Sequence, residues 1–189
     1  MKLNRSVLLT FGMLILACSL YRAWPDRPFG FAPQWAMAVF AGSVIQDKRW
    51  AFLLPLLSML ISDTVYQLLY NNGVGQIWGF YGGQWLNYLL FASMTVFGFM
   101  IRKRTTVVNV FAASLAAPSA FFLLSNFTVW IGGGGYNRAK TGAGLLQCYA
   151  DGVPFYQMSL LATPIFMAVF FGVFFLLGQK VVVRKEQLV

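Results

Sequence analysis

Asn71-Asn72-Gly73-Val74-Gly75-Gln76-Ile77-Trp78-Gly79-Phe80-Tyr81-Gly82-Gly83-Gln84-Trp85-Leu86-Asn87 carries no charged side chain. It alternates glycine with large aromatics and side-chain amides, and a long apolar run lies on either side of it. A connecting loop in water carries Lys, Glu or Asp. A loop of this composition suits the edge of a membrane, folded over something apolar, flat and hydrogen-bonding. Trp and Tyr also settle at headgroup depth on their own account, so any single ring here has two explanations. That interfacial belt does not call for the five glycines of the stretch.

The composition of the whole chain agrees with a membrane setting. Of 189 residues, 59% are hydrophobic and 10% charged, against roughly 25% charged in soluble domains. A soluble fold of this length has too little interior for that apolar surface, so the expected class is an all-α integral membrane protein. The net charge of +9 would suggest nucleic acid in a soluble protein. Here the cations sit in short clusters between apolar runs, and no nucleic-acid partner is expected.

The chain has no histidine, which removes Ser-His catalysis, histidine zinc sites and histidine proton relays. Its acids are only Asp26, Asp47, Asp63, Asp151 and Glu186. No Gly-x-x-x-x-Gly-Lys-Ser/Thr run is present, so no ATP is bound through a phosphate loop. An enzyme is not expected, and no cofactor or metal is implied. A disulfide between Cys18 and Cys148 has no framework to support it.

Six apolar segments are expected to span, at about 7–24, 34–45, 51–70, 85–101, 107–130 and 153–177, in one membrane domain covering 1–189. The first resembles a lipoprotein signal ending at Cys18, but more apolar runs follow it, which favours an uncleaved helix. The prolines of 25–33 make a stiff loop. The segment 34–45 is short for a crossing, which takes about 20 residues. In 107–130, Ala112, Ala116 and Ala120 recur every fourth residue, as do Ala113 and Ala117, and this small-residue pattern puts the helix in the middle of the bundle. Residues 145–151 read as a separate short surface helix.

Six spans put both termini on one side. That side holds Lys2, Arg5, Lys48, Arg49, Arg102, Lys103, Arg104, Lys180, Arg184 and Lys185, ten basic residues; the other holds Arg22, Arg27, Arg138 and Lys140, the remaining four of fourteen. The excess of positive charge on inner loops then places both termini in the cytoplasm. The three glycine- and aromatic-rich connections consequently face outward. Small-ligand pockets have this character, apolar and aromatic with a few placed polar groups.

Asp63 is the one acid inside a span, and an intramembrane acid is a site candidate by default. It lies roughly 10 Å below the outer end of its helix, and Asn126 roughly 6 Å below Trp130, at 1.5 Å per residue. Asp63 has a structural alternative, a helix-to-helix bond to a partner such as Ser58 or a loop arginine. The candidate substrate-binding residues are Phe31, Asp63, Trp78, Phe80, Tyr81, Trp85, Asn87, Asn126, Trp130, Tyr136, Asn137, Arg138, Cys148 and Asp151. Arg138 and Lys140 stand to meet Asp151 or an anionic part of a ligand.

The six-span pattern, with a proline-bearing first loop and glycine-aromatic outer loops, resembles the substrate-binding S-components of energy-coupling-factor vitamin transporters. Phe31-Ala32-Pro33-Gln34-Trp35-Ala36-Met37-Ala38-Val39-Phe40-Ala41-Gly42, Leu54-Pro55-Leu56 through Ser62-Asp63, and Ser125-Asn126-Phe127 through Trp130 resemble more closely an uncharacterised family of small bacterial membrane proteins of S-component type. The resemblance implies a multi-pass protein of the bacterial cytoplasmic (inner) membrane. It would capture a small, largely planar vitamin or cofactor precursor, cobalamin-type or other, with outer loops 1, 3 and 5. Its partners would be the nutrient, the lipid bilayer and a transmembrane coupling subunit with ATPases. The alanine-spaced docking motif often found on the first helix of S-components is absent. Two other functions fit the residues: a stand-alone secondary transporter or channel coupled through Asp63, and a non-transport assembly subunit docking through 107–130.

Overall fold

The computed structural model of the chain describes residues 5–186, with side chains over 11–176. Lys2 falls outside the described residues, as do the side chains of Arg5, Lys180, Arg184 and Lys185, so their part in the charge count stays with the sequence. The described residues form only helices: α1 (Arg5–Ala23), α2 (Gln34–Val44), α3 (Lys48–Asn71), α4 (Gln84–Ser93), α5 (Thr95–Ile101), α6 (Val107–Gly132) and α7 (Gly142–Glu186). α4 and α5 continue one another across Met94, so the chain traces six rods. Four of these are long and apolar enough to cross a membrane: Lys48–Asn71, Gln84–Ile101, Val107–Gly132 and Gly142–Leu176. The chain is accordingly of multi-pass membrane character.

The centre of the bundle is α2, and this corrects two expectations. With 11 residues at 1.5 Å each it is about 16 Å long, half a hydrocarbon core, so it does not cross on its own. Pro33 and the extended Ile45 bound it, and it borrows no length from its flanks. It is wrapped instead: α3, α4, α5, α6 and α7 all pack against it, and nine of its residues are buried. A helix that is apolar all round belongs inside. By contrast, α6 buries only Ala113, Ser114, Ala117 and Pro118, so one of its two alanine rows faces in while Ala112 and Ala116 face out.

A short buried helix leaves its last carbonyls without water. Arg102, just after α5, supplies the missing donors: Nε and Nη2 reach Gly42 O at 3.0 and 2.7 Å, and Nη2 also reaches Ile45 O. The positive guanidinium also complements the negative end of the α2 dipole. Alongside, α2 and α5 touch backbone to backbone. A Cβ on Gly42 would lie 2.2 Å from Thr95 O, and one on Gly98 2.1 Å from Val39 O. Neither distance is attainable, so both positions require glycine. Gly42→Val or Gly98→Val is expected to force the helices apart, at an overpacking cost of about 1–3 kcal/mol or more. Gly12→Val, where nothing lies within 4 Å, is the control. The melting temperature in detergent should fall for the first two and hold for the third.

The other large difference is in α7. The expected surface helix and the last span are one helix, running unbroken from Gly142 through Asp151, Gly152 and Pro154. Gly144 lets its first turn close on loop backbone, since a Cβ there would sit 2.0 Å from Ala139 O.

Candidate functional site

Chain direction puts the connections 24–33, 72–83 and 133–141 at one end of the bundle. At that end lies a cavity of about 560 Å³, within the 300–1,000 Å³ of small-ligand sites. All three connections reach it: Arg27, Phe29, Gly30 and Ala32 from the first, Ile77 and Tyr81 from the second, Gly135 and Tyr136 from the third. Beneath them the walls come from Trp35 of α2, Phe121 and Phe122 of α6, and Phe155 and Tyr156 of α7.

The rings hold each other in place. Trp35 sits against Phe121 at 4.1 Å and Phe91 at 5.3 Å between centroids, and Phe122 stacks on Tyr156 at 4.4 Å and 16°. Such contacts contribute about 0.5–1.5 kcal/mol each beyond area. The Tyr156 hydroxyl meets Ser119 Oγ at 2.7 Å, tying α7 to α6. Loop one is seated on α7 by Phe29 against Phe155 at 4.8 Å. Gly30 makes that seat possible: its φ is +85°, and a Cβ would come 2.8 Å from Phe155 O. The second connection is seated on α3 in the same way. A Cβ on Gly79 would lie 1.9 Å from Asp63 O, while Phe80 N donates to Gln67 Oε1 at 3.2 Å.

Asp63 is buried and both its oxygens are occupied. Arg22 Nη1 donates to Oδ1, and Gln84 Nε2 and Tyr88 OH donate to Oδ2, each at 2.6 Å. The same Arg22 Nη1 also donates to Ser62 Oγ. Gln84 Nε2 further donates to Gly79 O at 2.9 Å. One carboxylate thus joins α1, α3 and α4 and, through Gln84, the second connection. The suggested partner Ser58 is engaged elsewhere, its hydroxyl 3.1 Å from Ser19 Oγ. Arg22 lines the cavity and Asp63 does not, so Asp63 is a support one residue removed from the space. On the opposite wall Arg138 grips Asp151 with two bonds of 2.8 Å. Those bonds raise the Arg138 pKa further above its ordinary value, which keeps the guanidinium charged.

A family model matches residues 1–187. The chain belongs to DUF6580, a family of unknown function. No curated protein matches it, and no solved structure does.

In this DUF6580 chain the cavity brings together six of the residues singled out from sequence: Tyr81, Asn87, Asn126, Tyr136, Cys148 and Asp151. Asn87 Nδ2 donates to Tyr81 OH, and Cys148 Sγ sits 3.4 Å from Asn126 O. Eight others lie off its lining. Trp78, Phe80 and Trp85 are 59%, 44% and 69% exposed and point away, as interfacial rings do. Phe31 packs behind the wall on Phe166 at 5.6 Å. Trp130 donates to Ala139 O at 2.8 Å in the rim loop. Asn137 is a turn residue with φ +48°, and Arg138 and Asp63 act through Asp151 and Arg22. Among the described residues no three His, Cys, Asp or Glu side chains gather as a metal would require. Cys18 and Cys148 are both free thiols.

The main residues missed from sequence are Arg22, Arg27, Gln34 and Tyr66, which line the cavity. Arg22 and Arg27 had a signal: they are two of the four cations at the sparsely charged end of the chain. Gln34 had one as well, being an amide at the head of an otherwise apolar helix.

Proposed function

We propose that this protein is a membrane-embedded binding subunit that captures a small, largely planar molecule, of the size of a vitamin or cofactor precursor, for uptake. One observation carries the reading: three separate connections and six helices converge on a single ring-lined cavity of about 560 Å³. A structural bundle gains nothing from leaving such a hollow, because protein interiors are otherwise packed to crystal density. The excess of basic residues at the opposite end supports an orientation with the cavity outward and both termini in the cytoplasm. The protein would then sit in a bacterial inner membrane. The resemblance to vitamin-transporter S-components supports release through a coupling subunit with ATPases. The three-fold engagement of the Asp63 carboxylate with Arg22, Gln84 and Tyr88 supports a structural role for that acid over proton coupling.

Calorimetric titration of the detergent-purified full chain with a panel of planar vitamins and cofactor precursors tests the reading. Buried stacking on several rings is expected to give at least one micromolar or tighter ligand, about −8 kcal/mol. Heats indistinguishable from dilution across the panel, together with a purified protein free of small molecules, would count against it.

A further inference from the structure

The charges around the cavity do not balance. Arg22, Arg27 and Asp151 line it, with Asp63 and Arg138 behind them as the ion-pair partners of Arg22 and Asp151. Arg27 is left over. Its nitrogens donate to the carbonyls of Arg22, Pro28 and Phe31 and to the Tyr66 hydroxyl, every one a neutral acceptor. The neighbouring Asp26 is exposed and makes no ion pair among the described residues. Independently, Gln34 lines the same cavity at 3% exposure, and its Oε1 has no donor among the described residues. Its Nε2 reaches only Cys18 O, at 3.4 Å. A buried acceptor left unmet is costly, and a cation in a sheltered site attracts a counter-ion.

Resting on the proposed ligand site, we infer that the occupant is an organic anion. Its carboxylate, or an equivalent oxyanion, lies on Arg27. Its planar apolar body lies between the Trp35–Phe121 and Phe122–Tyr156 pairs, and an N–H or O–H on that body donates to Gln34 Oε1, which a turn of that side chain opens to the cavity. The site discriminates by charge: a neutral amide of the same shape loses the ion pair with Arg27, and a cation meets Arg27 unfavourably.

The test uses matched pairs that differ only at the acid group: benzoate and benzamide, 2-naphthoate and 2-naphthamide, indole-3-acetate and indole-3-acetamide. Each is titrated into the purified full chain by calorimetry at low ionic strength, with indole-3-acetate and 1-methylindole-3-acetate compared for the donor. The acid of each binding pair is expected to bind about tenfold or more tighter than its amide. Methylating the indole nitrogen should cost several-fold. Arg27→Gln should erase the acid preference and Arg27→Lys should keep most of it. The wild-type comparison decides the matter even where Arg27→Gln fails to fold, because Arg27 also ties loop one. Equal affinity for acid and amide, or a preference for the amide, overturns the anion while leaving the cavity a ligand site. Failure of every member to bind, with no small molecule retained by the purified protein, overturns the ligand site itself.

Discussion

Asp63→Asn is expected to be among the most damaging single substitutions in this protein. It removes a carboxylate that is 4% exposed and leaves Arg22, 20% exposed, without its counter-charge. Breaking one half of a buried ion pair costs about 3–5 kcal/mol, because the surviving charge stays desolvated. Here the loss spreads, since asparagine keeps a single acceptor oxygen: if it stays on Arg22, its NH2 faces the donors of Gln84 and Tyr88, and the Gln84 amide that also holds Gly79 O loses its carboxylate partner. Removing both charges together, as Arg22→Gln with Asp63→Asn, should recover much of the stability, because no isolated charge then remains. Thermal unfolding of the two single variants and the double variant in detergent checks this. A single variant as stable as the parent would mean that the pair is not holding the helices, and would return Asp63 to the role of a coupling group.

Filling the cavity is the second large effect. Ser125 lines the space from α6, and among the described residues its side chain makes one long bond, Oγ to Phe122 O at 3.4 Å. Ser125→Phe puts a ring where the ligand's planar body would lie, so binding should weaken by about a hundredfold or more, near 3 kcal/mol. Stability should change little, since the ring enters existing space and does not press on packed atoms. Leu124→Phe is the control: Leu124 is 44% exposed, faces away and does not line the cavity, and its substitution should leave binding intact. Calorimetry with the tightest probe, beside a melting curve for each variant, separates the two effects.

The rods other than α2 were legible because apolar runs bounded by charges leave a chain few choices. Asp47-Lys48-Arg49 and Arg102-Lys103-Arg104 mark ends that the structure places within a few residues. The role of α2 was hidden by reading its apolar character as a crossing; its length and small residues fit a wrapped core helix better. The alanine rows of α6 misled for the related reason that small residues mark close contact without saying how many sides of the helix are contacted. In α7 the sequence Asp151-Gly152-Val153-Pro154 looked like a break, yet the helix runs through it.

The site was half legible. That three sparsely charged, glycine- and aromatic-rich connections meet over one space follows from their shared composition and from their lying at the same end. Which face of each segment turns inward does not. In the stretch around Gly79, Ile77 and Tyr81 line the cavity while Trp78 and Phe80 turn out. Glycine-rich backbone has no fixed period from which that could be read. The pairing of Arg22 with Asp63, 41 residues apart, is likewise a tertiary fact.

Native mass spectrometry of the full chain, released gently from detergent after purification from its own host membrane, asks whether the cavity holds a ligand. Wild-type protein is expected to carry one small organic molecule in a defined stoichiometry, lost on mild activation and missing from Ser125→Phe. Wild-type protein found only at its bare chain mass, or an adduct retained equally by Ser125→Phe, would contradict it.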